Sequence, residues 1–194
     1  ICLWQYFADC LGKTSNTFVA NAGVFGKVYF PRLVVPLANV TSGLLKLAIQ
    51  FTLFMIVYLY FMFTGAAVHP NAYAALLPLL IILLAALSLG FGIIFSSMTT
   101  KYRDLSFLLG FFVQLWMYAT PVIYPISTIT NAKLKLVMQL NPLTGVLEAF
   151  KYGVLGAGEF SWGMLGYSAG FAAMLLAVGI VIFNRVQRSF IDTV

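Results

Sequence analysis

The sequence predicts an all-α fold, a polytopic helical membrane protein, and three observations carry that prediction. Hydrophobic residues make up 62% of the 194 and charged residues 8%, too few charges to cover a soluble globule. Stretches such as 47–68 and 70–100 carry no charge at all, and a hydrocarbon core about 30 Å thick asks for roughly 20 apolar residues in a helix. The charged residues collect between such runs, where a chain that crosses a membrane repeatedly returns to water.

Residues 1–194 read as a single transmembrane domain. The chain opens at Ile1 inside an apolar, aromatic run with no basic flank, and it reads as N-terminally truncated. Residues 1–22, with Trp4, Tyr6, Phe7 and Asp9, fit the end of a span or an interfacial helix. Residues 23–32 mix apolar side chains with Lys27 before Pro31 ends the run, as expected of a short element at the water interface.

Residues 33–66 form the first full span. Asn39, Gly43, Lys46 and Gln50 share one stripe at helical spacing. That stripe is either the wall of a wet vestibule or a lysine snorkelling at the membrane edge. His69-Pro70-Asn71 is a turn, and His69 reads as a loop residue. Residues 72–99 form the next span, in which Ser88, Gly92 and Ser96 recur every four residues, the spacing that lets helices approach closely.

Lys101-Tyr102-Arg103-Asp104 marks a return to water, with Asp104 placed to cap the next helix. The span at 105–121 is short: Leu105 to Thr120 is sixteen residues, about 24 Å of helix. Pro121 and Pro125 then prevent a regular helix from continuing. A helix broken inside a bilayer must be covered by protein or open onto water. The break is therefore a candidate pore, gate or binding region.

Residues 126–158 are neither a full span nor an ordinary loop. Asn141-Pro142 is a helix start, an N-cap followed by proline at the first helical position. Leu143, Val146, Leu147, Phe150 and Val154 make one apolar face, with Thr144, Glu148, Lys151 and Tyr152 mainly opposite, so the helix is expected to lie in the interface or dip into the membrane without crossing it. Gly156 and Gly158 close it. The last span, 161–184, carries Gly166 and Gly170 with Ala173 and Ala177 along one stripe, predicting tight packing on a neighbour. Residues 185–194, with Arg185, Arg188 and Asp192, form a tail in water.

Charge distribution sets the orientation. Lys13, Lys27, Arg32, Lys46, Lys101, Arg103, Arg185 and Arg188 fall on one side against Lys133, Lys135 and Lys151 on the other, which places the C-terminus in the cytoplasm. The net charge of +6 is accounted for by this topology, and no nucleic-acid partner is implied. Cys2 and Cys10 stand eight apart without a second pair, so they read as packing thiols. No Walker loop, nucleophile elbow, metal-ligand cluster or paired carboxylate within a span is present. If the chain transports, its energy comes from another chain.

Several segments together resemble the permease subunits of bacterial polysaccharide exporters of the type-2 ABC transporter family, which move O-antigen, capsule or teichoic acid chains. They are Lys27-Val28-Tyr29-Phe30-Pro31-Arg32, Tyr102-Arg103-Asp104, Gln114-Leu115-Trp116 with Pro121-Val122-Ile123-Tyr124-Pro125, Asn141-Pro142-Leu143-Thr144-Gly145, Glu148-Ala149-Phe150-Lys151, and Arg188-Ser189-Phe190-Ile191-Asp192. They follow the family's order and spacing nearly end to end.

The resemblance implies a homodimer in the bacterial inner membrane, working with a separate ABC ATPase subunit that binds ATP and magnesium; no cofactor is implied in this chain. It also implies a cytoplasmic coupling helix at 23–32, with Lys27, Val28, Tyr29, Phe30 and Arg32 docking into the ATPase. Tyr102, Arg103 and Asp104 would form a cytoplasmic turn. An external gate would include Pro121, Tyr124, Pro125, Asn141, Pro142, Glu148 and Lys151. Gly23 and Gly26 depart from this pattern, each costing about 1 kcal/mol relative to alanine in a helix interior, and Lys151 stands where arginine is frequent.

Phe107, Phe111, Gln114 and Tyr118 fall on one narrow stripe of the short helix, with Trp116 opposite. Sugar rings can lie on aromatic faces in weak contacts suited to a sliding chain of lipid-linked polysaccharide. The stripe lines a channel on that reading, and packs on membrane lipids and neighbouring helices on the other. A membrane enzyme acting on lipid-linked sugars is the alternative from another class. It would draw on Asp104, Glu148 or Glu159 as acid or base.

Overall fold

The long apolar runs fold as helices because, in hydrocarbon, only an internal ladder satisfies every backbone N–H and C=O. The computed structural model describes residues 1–21, 23, 31–64 and 70–191, with the side chains of Ala132 and residues 187–191 left aside. Among the described residues every regular element is helical. They are α1 (Cys2–Ser15), α2 (Thr17–Ala20), α3 (Val34–Phe63), a 3-10 turn (Ala72–Leu76) leading into α4 (Leu77–Lys101), and α5 (Leu105–Tyr118). A 3-10 turn (Ile126–Thr128), α6 (Ala132–Gln139), α7 (Pro142–Phe150) continued by one π turn (Lys151–Leu155), and α8 (Trp162–Ile191) follow.

Val34–Phe63, Ala72–Lys101 and Trp162–Val186 are long and apolar enough to cross a membrane, and α5 is a shorter apolar helix. The chain is an all-α, multi-pass membrane protein. Proline falls in the first turn of α3, α4 and α7, at Pro36, Pro78 and Pro142, where the missing N–H would have had no intrahelical partner.

α4 is the centre, packed along α1 on one side and α8 on the other. Small residues bring these backbones together. A Cβ on Gly92 would stand 2.5 Å from the Thr14 side chain, and one on Gly90 would stand 3.0 Å from Leu175. Ser88 and Ser96, on the same stripe as Gly92, are fully buried. The stripe on α8 behaves differently. Gly166 and Gly170 meet nothing that a Cβ would touch, and they are exposed with Ala173 and Ala177. The tight packing expected of them is absent within this chain, and Gly179, against Gly90 and Ile93, makes the approach instead.

α1 is enclosed, with Phe7 and Leu11 fully buried. The stripe Asn39, Gly43, Lys46 and Gln50 turns toward it. The Asn39 amide donates to the Lys13 carbonyl at 3.4 Å, a Cβ on Gly43 would meet Cys10 Sγ at 2.7 Å, and Lys46 pairs with Asp9. Lys46 lies twelve residues beyond Val34, about 18 Å along the helix. The stripe thus forms a helix–helix seam at Gly43, while the Lys46 side chain remains 53% exposed.

The two ends of the bundle differ. At the basic end lie Lys13, Arg32, Lys101, Arg103 and Arg185, and there Phe18 of α2 stacks on Phe183 of α8 at 4.7 Å. The other end is capped by α6, α7 and the π turn. Tyr58 donates to the Val154 carbonyl at 2.8 Å, and the Asn71 N–H to that of Gly153 at 2.9 Å, fastening this cap to α3 and α4.

Candidate functional site

α5 ends at Tyr118, and the chain then turns through Thr120–Pro125 at the capped end. A helix ending there leaves backbone carbonyls without partners. Local donors meet those of α5, and one side chain meets the carbonyls of the turn beyond it. The Lys151 ammonium donates to the carbonyl of Pro121 and, at 2.7 Å, to that of Tyr124, and it pairs with Glu148 at 3.0 Å. The Glu148 carboxylate also accepts the Ile126 N–H at 3.3 Å and the Glu159 N–H at 3.4 Å. Glu148 is 1% and Lys151 8% exposed. The knot therefore replaces water with fixed partners, as burying charge requires.

Local sequence builds this knot. The Asn141 side chain caps α7 by accepting from the Leu143 N–H at 3.1 Å, and Pro142 takes the first helical position. The Asn141 amide also donates to the Thr120 hydroxyl at 2.8 Å, joining the helix start to the break. Glu148 and Lys151 stand three apart and share a face. Gly158, at φ +104°, wraps the chain around Glu148, and a Cβ there would stand 2.8 Å from Oε2. Only glycine fits both conditions.

The polar face of this amphipathic helix is turned inward. Thr144, Glu148 and Lys151 are all buried, so the polar face of α7 looks onto the break and the end of α6, where Thr144 donates to the Met138 carbonyl at 2.6 Å. The amphipathic pattern matches protein polar groups on the break and on α6.

On the body of α5, Phe107 is 82% exposed and Phe111 and Tyr118 are each 64% exposed, with Gln114 also exposed. Trp116 turns the other way and meets Phe7 and Phe91 edge-on at 5.5 and 5.1 Å. Within this chain α5 buries only Leu109 fully. It presents three aromatic faces and one amide outward, groups able to make weak contacts with rings and hydroxyls.

Tyr102, Arg103 and Asp104 form an exposed turn at the basic end. Asp104 stands at the cap position of α5 without the capping hydrogen bond expected of it. Arg32 is half-buried just before α3. Lys27, Val28, Tyr29 and Phe30 lie outside the described residues. Pro121 and Pro142 are buried, and Tyr124, Pro125 and Asn141 half-buried, all around the knot.

The carboxylates considered for an enzyme do not converge. Glu148 is held by Lys151, Glu159 pairs with Lys135 at 3.1 Å, and Asp104 sits at the far end of α5. Among the described residues, no group of three or more His, Cys, Asp and Glu side chains comes together. The sequence offered Thr120, Thr144 and Asp9 without their partners Asn141, the Met138 carbonyl and Lys46. The i,i+3 Glu–Lys spacing in an otherwise apolar chain was the available signal for the knot, but a hydroxyl's partner across the fold leaves no mark in spacing.

Three helices long and apolar enough to span, with a shorter apolar helix stapled at its end, define a class: multi-pass helical membrane proteins. The chain belongs to the ABC-2 type transporter family, which its residues 5–155 match. It is similar to two proteins named O-antigen export system permease protein RfbA from Klebsiella pneumoniae, 29% and 28% identical over 193 residues, covering 97% of this chain and 71% of each relative. A protein of the same name from Myxococcus xanthus is 24% identical over 151 residues, 76% of this chain and 55% of that relative.

Proposed function

We propose that this chain is the permease subunit of an ATP-driven exporter that moves lipid-linked polysaccharide of the O-antigen type across a bacterial inner membrane. The observation that carries this is the similarity, over 97% of the chain, to relatives named as O-antigen export permeases. The exposed aromatic face of α5 supports it, because Phe107, Phe111, Gln114 and Tyr118 offer a sliding sugar chain contacts weak enough to release.

On this reading the basic end and the C-terminus face the cytoplasm. A separate ABC ATPase binds ATP and magnesium there and docks on residues 23–32 through Lys27, Val28, Tyr29, Phe30 and Arg32. Two copies of the chain enclose the path, and the capped end at 126–158 faces outward as the gate. Deleting the gene should remove long-chain polysaccharide from the cell surface and leave it on its lipid carrier inside, with recovery on re-expression of the intact chain. Tyr29→Ala should insert normally yet restore little export. A deletion strain whose surface polysaccharide is unchanged would refute the assignment.

A further inference from the structure

α5 is held very unequally along its length. Its body has one fully buried side chain, Leu109, with Trp116 set edge-on among aromatic rings. At its start, the hydrogen bonds of the Tyr102–Asp104 turn are local: the Tyr102 N–H reaches Met98, and the Leu105 N–H reaches Tyr102. Its other end is bound at four points, by partners that are themselves paired. Thr120 is held by Asn141, the Pro121 and Tyr124 carbonyls by Lys151, the Ile126 N–H by Glu148, and Glu148 by Lys151.

We propose that Glu148 and Lys151 are positioning residues that make the break a fixed pivot, so that α5 swings at its Tyr102–Asp104 end while Thr120–Ile126 stays docked on α7 throughout transport. Detaching the break would leave the Pro121 and Tyr124 carbonyls and the Ile126 N–H without partners and the buried Lys151 ammonium with Glu148 alone. Swinging the start of the helix, where Phe107, Leu108 and Phe111 are exposed, breaks few contacts within the chain. Motion therefore concentrates away from the knot, and the gate moves with the end of α5 as one body.

This inference rests on the reading of the chain as an ATP-driven subunit. Its test uses the full chain with its ATPase in membrane vesicles, with Cys2 and Cys10 replaced by alanine. Single cysteines at Phe107, Phe111 and Ile126 are reacted with a maleimide, with and without ATP. A several-fold ATP-dependent change at Phe107→Cys, a smaller one at Phe111→Cys and continued protection at Ile126→Cys is the expected result. ATP-dependent labelling at Ile126→Cys would overturn the pivot.

In a second arm, Thr120→Cys and Asn141→Cys are cross-linked by oxidation, the native side chains being 2.8 Å apart. The change at Phe107→Cys should survive cross-linking. Its loss on oxidation and return on reduction would show that the break must undock. Lys151→Met should expose Ile126→Cys several-fold, with protection restored in Lys151→Arg; equal protection in both variants would remove Lys151 from the role. If ATP alters labelling at no position, the ATP-driven reading itself fails and the pivot falls with it.

Discussion

The Lys46 ammonium of α3 is ion-paired with the Asp9 carboxylate of α1. The pair joins two helices along the length of α3, with the Lys46 side chain 53% and the Asp9 side chain 27% exposed, and in a membrane segment a charge without its partner is costly. Removing both charges should therefore cost less than removing either. Asp9→Leu and Lys46→Met are each expected to lower stability, and the double variant to recover part of the loss. Their coupling should be about 0.2–1 kcal/mol, read from a double-mutant cycle of unfolding in detergent. Additive losses would show that the two charges act separately.

The Glu148–Lys151 knot is more enclosed, with every described oxygen engaged. Replacing one partner leaves a buried charge alone, at about 3–5 kcal/mol. Lys151→Met should accordingly lower the unfolding midpoint far more than Glu148→Gln, which keeps a carbonyl oxygen able to accept the Ile126 N–H. The same detergent unfolding measurement separates them. Equal midpoints would mean that the carbonyl contacts of Lys151 contribute nothing.

Two glycine patterns of similar spacing should respond in opposite ways. Gly92→Val drives new atoms into Thr14 at the α1–α4 crossing, an overpacking expected to cost roughly 1–3 kcal/mol. Gly166→Ala enters open space in this chain, and its better helix propensity should leave stability equal or slightly raised, by up to about 1 kcal/mol. Thermal unfolding of the purified chain checks both. A destabilised Gly166→Ala protein would point to a neighbour packed on that face.

These contrasts mark what was legible in the sequence. Helix identity was plain because long charge-free runs admit little else, and the break was plain because Pro121 and Pro125 follow so soon after the Lys101–Asp104 cluster. The opposition of Trp116 to Phe107, Phe111, Gln114 and Tyr118 also followed from periodicity. What did not follow was which helix each stripe faces. Ser88, Gly92 and Ser96 look much like Gly166 and Gly170 in spacing, yet one set is buried against α1 and the other is exposed. The Asp9 partner of Lys46 stands 37 positions away and leaves no mark in the spacing. Spacing reports a face, and only the fold reports its occupant.

That distinction gives the sharpest test of α5. Trp116 and Phe111 are both large aromatics on one short helix, but Trp116 meets Phe7 and Phe91 while Phe111 is 64% exposed. Trp116→Ala should open a cavity between α5, α1 and α4 and cost about 3–5 kcal/mol. Phe111→Ala removes little internal contact, so the purified chain should unfold at nearly the unaltered midpoint. Its effect should fall on transport, lowering surface polysaccharide in a complementation assay while expression stays constant. Phe111→Tyr, which keeps the ring face, should restore most of it. Unaltered export in Phe111→Ala would assign this face to lipid, and a large stability loss would assign it to protein contact.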